Sequence, residues 1–371
     1  MLSYFSVNNY KNFPDTLTMR FDDIGKYHFN SECITQGHVT KMLVYGCNGT
    51  GKTNLGYALK NIQGIFNGQK EAGARLPNAD SSSDLITFSY GFRFEDTLVE
   101  YEYVLDGDQN IVSEDFSLNG DCICRVRQGK ILQMDKERLG IPTLNLEMYE
   151  AGSVDAADRI PLIRWIAVNS SLPSASPILQ VKKFAEGIKY IKISDRVLPY
   201  DSLNEKSAQR IGKLDAQKLQ EFLSLMGFDC ELEAHEEPDG KMQLYFEYAT
   251  PIKFYQTASS GVRSLTELFW CLKDITENTS LLYLDEFDAY LHFEMSELLF
   301  GYMKENYPDI QIVFTTHNTE LFSNKLSRPD AIQILSRNHR MTPLYKATER
   351  ELREGHNLEK MYRSGEFQKY E

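Results

Sequence analysis

The sequence predicts an α/β fold whose strand–helix layer is split between the two ends of the chain, with an antiparallel β meander and a helical region inserted between the halves. Three observations carry this. A short apolar run, Lys41-Met-Leu-Val-Tyr45, leads into a glycine-rich stretch and then a helix-like pattern. From Asp84 to about Gln133 the hydrophobic period switches to two, with turn residues between the runs. In the last third, short apolar runs of the kind that form buried parallel strands alternate with a helical pattern.

Taken in order, Leu2 to Val7 and Thr16 to Phe21 read as strands, separated by turn residues at Asn8-Asn9 and Phe13-Pro14-Asp15. After the run at 41–45, Leu55, Leu59, Ile62 and Phe66 recur at helical spacing. Residues 71–83 are polar. The meander comprises Leu85 to Phe94, Leu98 to Leu105, Asn110 to Leu118 and Cys122 to Arg127, with Gly107, Gly120 and Gly129 between or just beyond the runs. Residues 140–210 carry no clear period. A helix over 215–226 places Leu219, Phe222, Leu223 and Met226 on one side and stops at Gly227. Phe228 to Ala234 and Met242 to Tyr248 form a hairpin turning at Pro238-Asp-Gly240. Leu281 to Leu284, Ile310 to Thr315 and Ile332 to Leu335 are the later strands, with a helix carrying Met295, Leu298, Leu299 and Tyr302 between the first two. The expected division is a first half of the core over 1–70, an inserted β and helical region over 71–250, and the second half of the core over 251–371.

Composition narrows the function classes. With 42% hydrophobic and 25% charged residues, 371 residues suit one large or two ordinary globular domains. No apolar run approaches the ~20 residues of a membrane span, and the first twenty residues lack the build of a signal peptide. The six cysteines are scattered without a C-x-x-C pair, as expected of a reduced, cytoplasmic protein. A formal net charge of −13 disfavours a protein whose main task is to wrap nucleic acid. The basic clusters at Arg125 to Lys130 and Arg337 to Arg340 read as solvated loop charges.

Gly46, Gly51, Lys52 and Thr53 satisfy G-x-x-x-x-G-K-[ST]. A strand, a glycine loop and a helix together form an anion site, because loop N–H groups and the positive end of the helix dipole converge on a phosphate. The candidate nucleotide-contacting residues are Gly46, Asn48, Gly49, Gly51, Lys52, Thr53 and Asn54. Lys52 would reach the β/γ-phosphates of ATP and Thr53 would ligate Mg²⁺. A plain glycine turn with a solvated lysine would lack the preceding buried strand and the following helix.

Three further segments add chemistry. The strand at 281–284 ends in Asp285-Glu286; behind a phosphate loop, Asp285 would hold Mg²⁺ with Thr53, and Glu286 would orient or deprotonate the attacking water. The strand at 310–315 runs into His317, which a parallel arrangement brings to the same sheet edge, to bond a γ-phosphate or the water. Ser259-Ser260-Gly261 precedes a helix with Val262, Leu265, Leu268, Phe269 and Leu272 on one face. It is either a simple N-cap or a second anion site. One nucleotide does not need two helix starts far apart in sequence, whereas two protomers facing each other would use both.

GCNGTGKT, SSGVRS, LLYLDE with Phe287-Asp288, and VFTTH resemble, in order, the Walker A, signature, Walker B/D-loop and switch-histidine motifs of ABC-type P-loop ATPases. The resemblance is to the SMC-like branch, whose N-F-R-S-F opening is similar to Asn9-Tyr-Lys-Asn-Phe13. Residues 357–365 resemble endings of the abortive-infection and OLD-like ATPases of bacterial phage defence. The middle of the chain, about 95–250, resembles nothing recognisable. The resemblance implies an ABC-type ATPase head and a head-to-tail homodimer, ATP on one Walker A being capped by Ser260 and Gly261 of the other copy. Lys11 stands at the family's arginine position and would touch a phosphate. The signature departs from L-S-G-G-Q at Ser259, Val262 and Arg263, which implies slow hydrolysis. Gln36, Gln133 and Gln180 remain alternatives for the glutamine-loop residue. Only residues 318–371 follow His317, too few for the TOPRIM nuclease domain of OLD-type proteins. The expectation is therefore an ATPase that senses or regulates a separate effector, a toxin or nuclease, in anti-phage defence. A DNA-end or branched-DNA binding ATPase is the alternative, and a transporter subunit is a third, more distant reading.

Overall fold

A computed structural model describes residues 1–71, 76–152, 155, 157, 159–193, 213–240 and 242–370. Of the polar stretch 71–83, residues 72–75 lie outside the described residues. In chain order the strands are β1 (Leu2–Asn8), β2 (Leu17–Arg20), β3 (Ile34–Thr35), β4 (His38–Val39), β5 (Lys41–Tyr45), β6 (Ile86–Phe94), β7 (Thr97–Leu105), β8 (Ile111–Leu118) and β9 (Asp121–Arg127). They continue with β10 (Lys130–Met134), β11 (Ile188–Lys192), β12 (Leu232–Glu236), β13 (Met242–Phe246), β14 (Ile252–Lys253), β15 (Leu281–Asp285), β16 (Gln311–Thr316), β17 (Ile332–Leu335) and β18 (Met341–Pro343). The helices are α1 (Lys52–Lys60), α2 (Ile62–Asn67), α3 (Glu147–Gly152), α4 (Leu162–Asn169), α5 (Pro177–Glu186), α6 (Lys213–Leu225), α7 (Phe254–Thr257), α8 (Ser260–Lys273), α9 (Phe293–Asn306) and α10 (Leu358–Arg363). The chain divides into two compact units. The first contains residues 1–190, 278–283 and 308–371; the second contains 191–277 and 284–307.

The first unit holds an antiparallel sheet in the order β10-β9-β8-β7-β6-β1-β2. The meander expected from the period-two pattern is present and is longer than expected. β10 joins it at the edge, and β6 pairs on its other side with the N-terminal β1, Phe5 facing Tyr90. β10 overlaps the end of the period-two stretch but is not among the four expected runs, because as an edge strand it buries little. Asn119-Gly120 and Gln128-Gly129 turn with positive φ at both residues, the two-residue geometry that suits the right-handed strand twist. Inside, aromatic residues pack together: Phe88 stacks on Tyr103 at 5.2 Å, and Phe5 lies tilted against Tyr90 at 4.9 Å. Two tyrosines reach further. The Tyr90 hydroxyl donates to the carbonyls of Ala58 (3.1 Å) and Leu59 (3.2 Å), and the Tyr103 hydroxyl donates to Asn61 Oδ1 at 2.9 Å. The sheet thereby holds the end of α1, where α-helical bonds give way to an Asn61-to-Ala58 bond before α2 resumes. The single helix expected over Leu55–Phe66 is therefore two.

The second sheet has the order β11-β15-β16-β5-β17-β18. β5 lies between β16 and β17, parallel to both, with Thr316 opposite Tyr45 and Ile334 opposite Tyr45 on the other side. β18 closes the edge antiparallel. All five residues of β5 are buried. Lys41 is among them, and its ammonium is satisfied by the carbonyls of Pro308 (3.1 Å) and Ile310 (3.0 Å). Leu281–Tyr283 of β15 belong to this unit, and Leu284 and Asp285 to the second.

The second unit packs α6 and α8 with the small antiparallel sheet β12-β13-β14. Leu219, Phe222, Leu223 and Met226 of the α6 region are buried as the helical spacing predicts, and Phe222 meets Phe269 at 5.5 Å and Tyr302 at 5.3 Å. On α9, Leu299, Phe300 and Met303 face the core while Leu298 is exposed, so its buried face is rotated from Met295 and Leu298.

Candidate nucleotide site

The loop after β5 is shaped by its own side chains. Gly49 and Gly51 take φ of +85° and +104°, and α1 begins directly after Gly51. Lys52 is 5% exposed, and its ammonium donates to the carbonyl of Gly46 at 2.6 Å and of Cys47 at 3.3 Å, drawing the loop into a ring. The Thr50 hydroxyl donates to Cys47 O at 2.9 Å, and a Cβ on Gly46 would stand 2.5 Å from that hydroxyl oxygen. The N–H groups of Asn48, Gly49 and Gly51 find no acceptor among the described residues. Backbone N–H donors left without an acceptor at a helix start are what an anion site requires.

The parallel register brings His317 to this edge. Gly46 N–H donates to Thr316 O at 3.2 Å, so Gly46 and His317 leave adjacent strands side by side, and His317 is exposed there. Lys11, by contrast, is turned to Glu71 at 2.5 Å and lies over the Tyr57 ring at 4.9 Å. Asn54 donates to Asn12 Oδ1 at 2.6 Å.

In the second unit, Asp285 ends β15 fully buried, with the Lys192 ammonium 3.6 Å from its carboxylate. A carboxylate held at 0% exposure needs a cation, and a lysine beside it supplies that charge in the chain alone. Glu286 takes φ of +54°, which swings its side chain out of the strand's alternation. The start of α8 is N-capped: Ser259 Oγ accepts from Val262 N–H at 3.3 Å. Ser260 beside it is exposed. Gly261 sits against the Tyr290 carbonyl, which a Cβ would approach to 2.8 Å, so the loop after Glu286 and the start of α8 are in contact through a glycine.

Several residues around the loop escape sequence reasoning. Asn12 donates to Thr50 O at 3.0 Å, and its side chain fills the space where a Cβ on Gly51 would lie. His339, in the β17–β18 turn with φ of +57°, stands 3.3 Å from Thr50 O and 3.2 Å from Asn12 Nδ2. The reading of 337–340 as solvated charge holds for Arg337 and Arg340, which are exposed, and fails for His339, which folds onto the loop. Tyr283 donates its hydroxyl to Lys52 O at 2.6 Å, and Tyr45 shares a 2.8 Å hydrogen bond with Tyr362 of α10. Asn12 lies inside the N-terminal stretch the sequence singles out, but no residue pattern marks His339 or Tyr283 as neighbours of the loop.

A strand, a self-closed glycine loop with free N–H donors and a buried lysine define a P-loop protein. The chain belongs to the family described as "AAA domain, putative AbiEii toxin, Type IV TA system", which it matches over residues 41–323. No curated protein matches the sequence. Among solved structures, similarity extends to an Smc head bound to the C-winged helix domain of ScpA, at 13% identity and a TM-score of 0.44 over 90% of this chain and 93% of that one. It extends also to the SMC head domain from Thermotoga maritima, at 14% and 0.42 over 90% and 94%. A third is an Smc head domain with an extended coiled coil, bound to the C-terminal domain of ScpA derived from Pyrococcus furiosus, at 12% and 0.43 over 85% and 89%. Among the described residues, no helix is long and apolar enough to cross a membrane.

Proposed function

We propose that the chain binds ATP with Mg²⁺ at the loop 46–53, hydrolyses it slowly and forms a homodimer around it, and that this nucleotide-controlled association regulates a separate effector, a toxin or nuclease, in bacterial anti-phage defence. The carrying observation is the set of N–H groups on Asn48, Gly49 and Gly51 with no acceptor among the described residues, in the loop that Lys52 draws closed. Family membership supports an ATPase, and its description, which names a toxin and a toxin–antitoxin system, supports the defence setting.

In this reading Lys52 leaves the loop carbonyls for the β/γ-phosphate oxygens, and the loop N–H groups hold the phosphate chain. The hydroxyl of Thr53 and the carboxylate of Asp285 would hold Mg²⁺, which when bound neutralises charge on the phosphates. Lys192 would then yield its place beside Asp285. Glu286 takes the proton of the water that attacks the γ-phosphorus as the bond to ADP breaks, and His317 donates to a γ-phosphoryl oxygen. Ser260 and Gly261 contribute hydroxyl and N–H donors to the nucleotide on the other copy, and Lys11 exchanges Glu71 for a phosphate.

Glu286→Gln is expected to keep ATP binding and to lower hydrolysis by ~10² or more, accumulating a dimer visible by light scattering. Turnover that survives intact removes Glu286 from this role. Ser260→Arg is expected to leave nucleotide binding by the monomer unchanged while abolishing ATP-dependent dimerisation; unaltered dimers would exclude the two-copy site. The family description also favours a second reading, in which the chain is itself the toxic component. Growth arrest on expression of this chain alone, relieved by Lys52→Ala, would select that reading over the regulator.

A further inference from the structure

We infer that the first unit carries a second anion site, separate from the loop 46–53, that takes a phosphorylated small molecule of nucleotide size. It is a cavity of about 340 Å³ between the end of α2, the turn entering β8 and the segment leading into α4. That volume falls in the small-ligand range. No residue of the loop 46–53 lines it.

The charge of its described lining residues is one-sided. Lys70, Arg159 and Arg164 line it, and no described lining residue is acidic, in a chain with 53 carboxylates against 40 lysines and arginines. Arg164, half-buried on α4, makes no hydrogen bond or ion pair with any described residue. Its guanidinium is nonetheless placed: it lies on the backbone of Gly68, where a Cβ would come within 2.1 Å of Nη1. Gly68 has φ of +71°, so glycine there ends α2 and admits the arginine together. Lys70 donates to two oxygens with no full charge, Asp108 O at 2.9 Å and Asn110 Oδ1 at 2.8 Å, so its charge is not neutralised by them. Asn61 has its amide oxygen occupied by the Tyr103 hydroxyl, which leaves its NH₂ as a donor at the cavity wall.

Beside Gln69 and Gln109, the remaining wall carries an apolar patch with Ile65, Leu105 and Ile111 among its residues. A free inorganic ion would leave that surface wet, whereas a phosphate attached to a flat or apolar body uses both parts. Guanidinium and ammonium donors around one concavity suit a phosphate, which Arg binds bidentately. The cationic groups are confined to a concavity and do not form a stripe, which favours a small ligand over a nucleic-acid strand. Because the cavity abuts Asn61 and Gly64 at the break after α1, a ligand there would touch the helix that begins at the P-loop. The site does not depend on the nucleotide reading of that loop.

The test is calorimetric titration of the full chain with AMP, and in parallel with inorganic phosphate, after one molar equivalent of AMP-PNP has filled the first site, with no excess left to compete for the cavity. AMP is expected to bind with a Kd of roughly 10–500 μM and phosphate about tenfold more weakly. Arg164→Glu is expected to weaken AMP at least ~10-fold and Lys70→Glu at least ~3-fold, with Arg164→Lys, which keeps the charge and loses the bidentate fork, weakening it less than Arg164→Glu and AMP-PNP affinity at the first site unchanged in all three. Trp165 fluorescence and thermal melting check that each variant is folded. If Arg164→Glu does not fold, the exposed Lys70 variant decides. Absence of AMP binding in the native chain, or AMP binding unchanged in the charge-reversed variants, overturns the inference. So does Arg164-dependent binding of a ten-nucleotide oligothymidylate without binding of AMP, which would assign the cavity to a nucleic acid.

Discussion

Glu114 offers a quantitative test of how the antiparallel sheet is held to α4. It lies on β8 at 1% exposure, accepts the Tyr101 hydroxyl at 2.8 Å and accepts the Leu162 N–H, at the first turn of α4, at 2.6 Å. Those donors favour the ionised form, but loss of solvent dominates and raises the carboxyl from its ordinary 4.5 to about 7. The folded chain therefore binds this proton more tightly than the unfolded chain does. Its contribution to stability is complete below pH 4.5, declines as pH climbs through about 7 and is lost above. At about 1.4 kcal/mol per pH unit, the interval is worth about 3 kcal/mol. Tyr101 and Cys124 share the surroundings, and burial pushes both well up, so neither titrates in this window. Glu114→Gln removes the titration while its amide oxygen accepts from Leu162 and its NH₂ donates to the tyrosine oxygen. Urea unfolding at pH 5, 6, 7 and 8, followed by Trp165 in a Trp270→Phe background, is the assay. The native chain is expected to lose about 2–3 kcal/mol more than Glu114→Gln between pH 5 and 8. PH profiles that coincide within about 0.5 kcal/mol would refute the reasoning.

Two other substitutions probe neighbouring features. Asn12→Ala removes the donor to Thr50 O and the acceptor for Asn54, so ATP affinity is expected to fall about three- to tenfold in a direct binding assay, with a small change in melting temperature; unchanged affinity would mean that the loop needs no clamp. Arg328→Ala leaves Asp330 buried without the guanidinium that pairs with it at 2.6 and 2.8 Å, and should cost about 3–5 kcal/mol in denaturant unfolding, a loss below about 1 kcal/mol being the contrary result.

The elements easiest to see in the sequence are those whose pattern is set by one environment. β5 and β17 are buried on both faces, so their apolar runs coincide with the strands residue for residue. The four meander strands 86–127 appear within a residue of their predicted bounds because alternation marks their extent and turns at Gly107 and Gly120 separate the last three. Edge strand β10 lacks that signal. The P-loop is visible because glycine, lysine and threonine must occur at fixed spacing. Its supports are not, because Asn12, Tyr283 and His339 act through hydrogen bonds to backbone oxygens, and a carbonyl acceptor leaves no trace in the residue that owns it.

The sequence by itself determined the glycine loop with its lysine, the parallel strands beside it, the antiparallel meander and the apolar faces of α6 and α8. Each depends on residues near one another in the chain, where period and spacing suffice. Only the tertiary structure decided that β1 completes the meander, that Tyr90 and Tyr103 hold the end of the P-loop helix, that Asn12 and His339 close on Thr50, and that Lys192 stands beside Asp285. The physical reason is the same for all four. Each is a contact between groups distant in sequence, specified by the packing of whole sheets and not by any local preference of the residues that make it.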